Sequence, residues 1–455
     1  MWSALTQGVN LIRVAFTLIL AKLVSPHDIG LVALGMSIIG FAQMFRDIGI
    51  HQAIIQKKDV TNLELSSVFW LTVFIGLGLA VSVCVASQFM LVSHKEENLA
   101  IVIIVLAFDI ILRSVYQVPD ALIRRNLNFK VFAIADFMGN LISGLSVIYL
   151  AYLGFGWIAL VVRVLMSSLI VSITLFIYSK WTPKLKFSVD AVKPFFNFGI
   201  PIFVAGIFNY IKNQSDILLI GAFISIEELG YYQLALSFAS ILGSQFSYSI
   251  GRVYFPILSR LHEQNSAEFT NETIRFVGLT SSFLLIAAIY LTFGGADLLP
   301  LLMGKKWLGS KVLLPILAWG AVFQGSTICT SIILRATGNP KFELFGAIPS
   351  AIFTPLIIYI GLESYGILGA AFGFATSSFL TAILMIIFHL RIDKLSLKSY
   401  LGGMKHIFIT LVITTIFGGI SRIICVKYDD NLWLIIESVA MIAVVLIYLT
   451  YWRKK

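Results

Sequence analysis

Residues 25–30 read Ser-Pro-His-Asp-Ile-Gly, and residues 225–230 read Ser-Ile-Glu-Glu-Leu-Gly. Both carry Ser-x-x-Asp/Glu, the pattern in which a serine and an acid satisfy the free N–H groups that open a helix. Arg124-x-x-x-Asn128-x-Lys130 returns in the same way as Arg335-x-x-x-Asn339-x-Lys341, and Phe155-Gly156-Trp157 as Tyr365-Gly366-Ile367. The offsets are 200, 211 and 210 residues, in the same order along the chain. One such echo is chance; three in order point to an internal duplication.

What is duplicated follows from hydropathy. The 455 residues are 58% hydrophobic and 12% charged, whereas soluble domains carry about 25% charged residues. About 20 apolar residues cross a bilayer as a helix. That rule places fourteen spans near 2–24, 30–55, 65–92, 99–119, 132–153, 156–178, 197–225, 229–259, 274–303, 310–335, 342–361, 366–390, 405–425 and 431–452. The echoes fall after the first, fourth and fifth span of each half. The predicted architecture is therefore an all-α polytopic membrane protein with two parallel six-helix lobes, 1–180 and 196–391, and a two-helix appendix, 404–455. Parallel six-helix repeats are a transporter plan with substrate at the repeat interface.

Basic residues gather after even-numbered spans, for example Lys57, Lys58, Arg124, Arg125, Lys180, Lys184 and Lys186, with Arg453, Lys454 and Lys455 at the end. The positive-inside rule then puts both termini in the cytoplasm. The net charge of +10 is thus a matter of topology and anionic lipid, not of nucleic acid. Cys84, Cys329 and Cys425 lie far apart in apolar stretches and suggest neither disulfides nor a metal site. No phosphate-cradling loop, nucleophile elbow or inserted soluble domain is present in the sequence, which disfavours an enzyme; no cofactor is expected.

The repeat also decides how 207–223, IFNYIKNQSDILLIGAF, is read. Ser225 matches Ser25, so its polar centre falls inside the second lobe's first span, with Lys212 and Asn213 opposite Ile12 and Arg13. Pro201, Gly199 and Gly206 could let that span bend.

A charge in the bilayer costs at least about 2.5–3.5 kcal/mol, so it faces a pathway or a partner. Arg13, mid-span with no acid within four residues, reads as facing a water-filled cavity. Arg46, Arg113, Arg163, Lys212 and Arg252 are the other cationic-cavity candidates. Asp109 and Arg113 have the favourable i,i+4 order of an in-helix pair; Lys212 and Asp216 have the poorer one. Arg46-Asp47 adds a further pair. Arg275 and Arg422 lie near span ends and snorkel. Asp47, Asp109, Asp136 and Asp216 are candidates for counter-charges or for a coupling cation, H+ or Na+. Gln43, Asn140, Asn209, Asn213 and Gln245 either glue helices or line the cavity. His51 reads as interfacial. An excess of cations in a cavity suits an anion, above all phosphate.

Several stretches carry a family resemblance. They include Leu23-Val24-Ser25-Pro26-His27-Asp28-Ile29-Gly30, Asp47-Ile48-Gly49-Ile50-His51-Gln52-Ala53, Pro119-Asp120-Ala121-Leu122-Ile123-Arg124-Arg125-Asn126-Leu127-Asn128-Phe129-Lys130, Asp216-Ile217-Leu218-Leu219-Ile220-Gly221 and Gly338-Asn339-Pro340-Lys341. In these the chain resembles the Wzx-type polysaccharide flippases, in the superfamily of the multidrug extruders and the lipid II flippase. The resemblance implies movement of an undecaprenyl-diphosphate-linked oligosaccharide between leaflets of the bacterial inner membrane by alternating access. It implies intramembrane arginines on the diphosphate, a role that carries over to Arg13, and a polysaccharide polymerase with its chain-length machinery as partners. Arg46 departs from the family's pattern. The alternative within the superfamily is an ion-coupled multidrug extruder, which the excess of Arg and Lys disfavours.

Overall fold

The computed structural model describes residues 16–93, 97–264 and 266–392, with 412, 415, 416 and 419 beyond them. Apart from those four residues, the appendix expected over 404–455 lies outside the described residues. Among the described residues every regular element is helical. Nine helices among the described residues are long and apolar enough to cross a membrane, and in lipid a helix satisfies its own backbone. After a helical end at 16–23 come α1 (Pro26–Asp47), the short α2 (Ile50–Gln56), α3 (Asn62–Ser93), α4 (Glu97–Arg125), α5 (Phe129–Tyr152) and α6 (Trp157–Ser179). Then follow α7 (Val189–Phe223), α8 (Ile226–Ser240), a π turn (Ile241–Gln245), α9 (Phe246–Gln264), α10 (Ser266–Phe293), α11 (Leu298–Met303), α12 (Leu308–Ala336) and α13 (Lys341–Ile392). The last breaks at Tyr365–Gly366, where φ is −137° and +58°, so it is two helices, as the span count expects.

The duplication is visible in the backbone. Ser25 and Asp28 close a full capping box on α1, and Ser225 Oγ accepts the Glu228 N–H (3.2 Å) and donates to Glu228 Oε2 (3.2 Å) at the start of α8. After α4, Leu127 lies at φ +52° and the Asn128 N–H donates to Ile123 O at 3.1 Å. After α12, Gly338 lies at φ +72° and the Asn339 N–H donates to Leu334 O at 2.8 Å. Residue for residue, at an offset of 211, these are one turn built twice. Gly156 (φ +48°) and Gly366 (φ +58°) match in the same way. The Trp157 N–H beside Gly156 donates to the capping acid Asp28 at 3.0 Å, which ties the start of α6 to the start of α1.

Packing divides the chain after Gly221: the first compact unit runs to that residue and takes in Ser225–Gly230, and the second holds Ala222–Ile224 and continues from Tyr231. In the first unit α3 packs on α4, α5 on α6, and α4 on both α1 and α6. Its core joins Ile50 and Ile54 of α2 with Phe69 of α3, Val118 of α4 and Phe195 of α7. In the second unit α12 packs on α10 and α13, around Leu258, Phe276, Ile328 and Ile333.

By topology α7 opens the second copy, yet up to Gly221 it packs with the first unit, and its polar contacts there lie along α1. Tyr210 Oη donates to Ser37 O, Ser37 Oγ donates to Gln214 Oε1 at 3.0 Å, and Phe203 stands edge-on to Phe45. The two echoes themselves touch: a Cβ on Gly30 would lie 1.9 Å from Ile226 O, and one on Gly230 1.8 Å from Pro26 O. Any side chain at either position would push these helix starts apart.

Candidate functional site

The polar centre of 207–223 is helical: α7 runs unbroken through Asn209–Asp216 despite Pro194 and Pro201. Its side chains do not form one cluster. Asn209 is exposed and bonds back to Ala205 O at 3.0 Å, and Asn213 is exposed. Asp216 is buried and its Oδ1 accepts the Ile217 N–H at 2.9 Å. The i,i+4 pairing of Lys212 with Asp216 does not form. Half-buried Lys212 has no ion-pair partner among the described residues; base-first is the weaker order for such a pair.

The concentration of charge lies elsewhere, between α1–α2 and α4. α4 runs on to Arg125, past the span end expected at 119. That extension adds Asp120 and Arg124 to the face that already carries Asp109, Arg113 and Gln117, at steps of three or four residues. α1 and α2 offer Gln43, Arg46, Asp47 and His51 at the same period. The two stripes interlock as a ladder. Arg113 Nε donates to Asp109 Oδ2 at 2.7 Å, and Gln43 Nε2 donates to the same oxygen at 2.9 Å. Gln117 Nε2 donates to Asp47 Oδ1 at 2.6 Å. His51 Nε2 lies 2.8 Å from Asp120 Oδ2, and Arg124 Nε donates to both Asp120 oxygens at 3.1 and 3.0 Å.

Asp47 does not pair directly with Arg46. It ends α1, and the backbone then turns through Ile48 (φ +40°) and Gly49 (φ +69°) before α2 begins. Asp47 Oδ1 accepts the His51 N–H across this break at 3.3 Å. Arg46 lies within electrostatic reach of Asp47, Tyr116, Arg113 and Asp109. Its Nε is buried without a hydrogen-bond partner, and so are Asp109 Oδ1 and Gln117 Oε1. Buried polar atoms are nearly always satisfied, and three of those that are not lie along this one ladder.

The remaining candidates are scattered. Arg13 lies outside the described residues. Arg163 is half-buried on α6, and Arg252 is exposed on α9. Asn140 donates to its own helix neighbour Asp136, at 2.7 Å to the carbonyl and 2.9 Å to the carboxylate. Gln245 closes the π turn. Gln117, Asp120 and Arg124 stand outside the site candidates that the sequence offers, and His51 faces Asp120 inside the first unit. The recurrence of polar residues every three or four positions from 109 to 124 was the signal, hidden by ending the span at 119.

The comparisons now bear on this arrangement. Residues 19–312 match the family described as "Polysaccharide biosynthesis protein". The chain belongs to that family. It is 26% identical to the teichuronic acid biosynthesis protein TuaB of Bacillus subtilis, over 84% of this chain and 79% of that one. It is 24% identical to the lipopolysaccharide biosynthesis protein WzxC of Escherichia coli, over 84% and 78%. Among solved structures, the lipid II flippase MurJ in an inward closed conformation aligns with a TM-score of 0.77, at 17% identity, over 100% of this chain and 98% of that one. A multidrug resistance MATE family transporter of the MOP superfamily, inward-facing, aligns at 0.65, with 15% identity, over 85% and 94%. These likenesses show the fold. This polysaccharide biosynthesis protein is a multi-span membrane protein, helical throughout its described residues, with the fold of those two transporters.

Proposed function

We propose that the protein is a flippase that moves an undecaprenyl-diphosphate-linked oligosaccharide from the cytoplasmic to the periplasmic leaflet of the bacterial inner membrane. Its two lobes would alternate access, and both termini would lie in the cytoplasm. The product would feed surface polysaccharide synthesis beside a polymerase and its chain-length machinery. The chain itself performs no covalent chemistry in this reading. The names of the relatives support the pathway, and the lipid-carrying structural neighbour supports the substrate class.

The observation that carries the reading is the state of the cations in the first unit. Arg113 and Arg124 are matched by Asp109 and Asp120. Arg46 keeps a buried donor without an acceptor, and Lys212 keeps a half-buried ammonium without an ion pair. Unmatched cations in a bilayer call for an anionic partner, and a guanidinium suits the oxygens of a diphosphate. A drug extruder for cations would need the opposite imbalance.

Deletion of the gene tests this. Lipid-linked repeat units should accumulate on the cytoplasmic leaflet, and the wild-type chain should clear them. Normal surface polysaccharide in the deletion strain would sink the proposal. A strain that instead becomes sensitive to cationic dyes, with normal polysaccharide, would favour the extruder.

A further inference from the structure

Between α6 and α7, residues 180–188 read Lys-Trp-Thr-Pro-Lys-Leu-Lys-Phe-Ser. This connection lies between the two copies of the repeat, and it is strapped to the start of α3. The Lys184 N–H donates to Ser66 Oγ at 3.1 Å, and the Ser188 N–H to Ser67 Oγ at 3.0 Å. Trp70 Nε1 donates to Lys184 O at 2.9 Å. Ser66 and Ser67 are fully buried, and Trp181 stands edge-on to Phe69 at 5.8 Å between ring centroids. Three side chains of one helix thus satisfy backbone groups that water would hydrate in a free loop.

The fixed backbone decides what the strap presents. The Lys186 N–H donates to Lys184 O at 2.8 Å, which makes a three-residue turn with Leu185 at its apex. Leu185 is 88% exposed and Phe187 52%. Lys184 and Lys186, on either side of the apex, are exposed as well, and so is Lys180. Folding normally buries a leucine or a phenylalanine before a lysine; here two apolar side chains are held out among three cations. Residues 180–188 contain no acid. The next one along the chain, Asp190, lies in the first turn of α7, where a negative charge stabilises the helix start.

We propose that this strap is a binding site for an acidic phospholipid, with Leu185 and Phe187 among the acyl chains and Lys184 and Lys186 on the headgroup phosphate. Depth favours lipid over a soluble partner. Ser66 to Trp70 lie about 6–12 Å along α3 from its start at Asn62. From Trp70 onward Phe74, Leu77, Val81 and Val85 follow at helical spacing, all exposed, and a long exposed apolar stripe on a spanning helix is a face for lipid. Trp70, which holds the strap, stands at the head of that stripe, and tryptophan gathers at the boundary between bilayer and water. The turn is therefore held at headgroup level. Attraction between basic loops and acidic lipid is general and diffuse; here a pinned turn concentrates it beside an apolar anchor. In the orientation proposed above, the lipid belongs to the cytoplasmic leaflet. The site itself does not depend on what the protein moves.

Native mass spectrometry of the full chain in detergent tests this, with phosphatidylglycerol and phosphatidylcholine as the probes. Wild type should bind phosphatidylglycerol more tightly than phosphatidylcholine. Lys184→Gln/Lys186→Gln should weaken phosphatidylglycerol binding about tenfold or more and leave phosphatidylcholine unchanged. Lys305→Gln/Lys306→Gln removes the same charge from an exposed pair in the second unit and should behave as wild type. Leu185→Asn should weaken both lipids, which a site for free phosphate would not show. All five positions are exposed, so each variant should fold, and thermal unfolding in the same detergent checks that. Equal binding of the two lipids by wild type, equal losses in the two lysine pairs, or no loss in Leu185→Asn overturns the inference. A wild-type dimer that Leu185→Asn splits would assign the patch to a second copy and overturn it too. No readout involves a glycan, so the flippase proposal stands or falls by its own test.

Discussion

The α1–α4 interface of the first unit and its copy in the second share a topology and differ in chemistry. At the offset of 200, Gln43, Arg46, Asp47 and His51 correspond to Gly243, Phe246, Ser247 and Gly251. At 211, Asp109, Arg113, Gln117 and Asp120 correspond to Gly320, Gln324, Ile328 and Ser331. Where the first copy places Arg46, the second places Phe246, which turns to α10 and stacks on Phe283 at 3.6 Å between ring centroids. Ser247 there turns its hydroxyl back to Gly243 O at 2.9 Å. Gly243 lies so close to α12 that a Cβ would fall 2.7 Å from that of Ala321. A π turn interrupts the helix in the second copy, between α8 and α9, whereas α1 runs straight to its break at Ile48. Duplication supplied one frame twice. Interlocked charge was built into the first copy of this interface, and apolar packing into the second.

The sharpest way to break this comparison is to remove one member of a charged pair. Asp109→Ala leaves Arg113 uncompensated beside Arg46. Losing one partner of a buried pair costs about 3–5 kcal/mol; Arg113 is 34% exposed, which puts the expected loss at the lower end. Thermal unfolding of the purified protein in detergent measures it. Asp109→Ala/Arg113→Ala should recover part of the loss, because no charge is then stranded. In the second unit Ser247, which stands at the place of Asp47, gives the uncharged control: Ser247→Ala removes only neutral bonds, to Gly243 O and to the Cys329 thiol, and should cost about 0.5–1.5 kcal/mol. Equal losses at Asp109 and Ser247 would mean that the charged interface is no more than a variant of the apolar one.

Arg46→Phe tests the same contrast through function by giving the first copy the residue of the second. A hydrogen bond from a charged group is worth about 1.5–3 kcal/mol, so polysaccharide export should fall by about tenfold or more with the protein still present in the membrane. Arg252→Ala, on the exposed face of α9, should leave export close to wild type. An Arg46→Phe strain with full export would remove Arg46 from the site.

These effects also show what could be read in advance. The two copies and their shared helix starts were legible because capping boxes and positive-φ turns are local and leave fixed residue types at fixed spacing. The continuity of α7 through Lys212 followed from the repeat alone. The ladder was only half legible. The Asp109–Arg113 pair is local, at i,i+4, and it forms as expected. Asp47–Gln117 and His51–Asp120 join residues about seventy apart in sequence, and nothing local says that α1 and α4 lie side by side in that register. Lys212 shows the converse: its spacing to Asp216 suggested a partner, and α7 turns that acid to a backbone N–H instead.

The smallest effect concerns the turn built twice. Leu127 and Gly338 hold the same left-handed position, at φ +52° and +72°. For a residue with a Cβ that conformation costs about 1–2 kcal/mol, and a Cβ on Gly338 would meet nothing within 4 Å. Gly338→Ala therefore isolates backbone strain from packing, and it should lower stability by about 1 kcal/mol in the same unfolding measurement. Leu127→Gly runs the other way. It relieves the strain, but glycine loses about 0.5–1 kcal/mol more conformational freedom on folding, so the net gain should be a few tenths of a kcal/mol. A loss at Leu127→Gly as large as that at Gly338→Ala would show that the leucine side chain, 71% exposed in the protein alone, has a contact in the membrane that its glycine counterpart lacks. The two turns would then differ in function as well as in sequence.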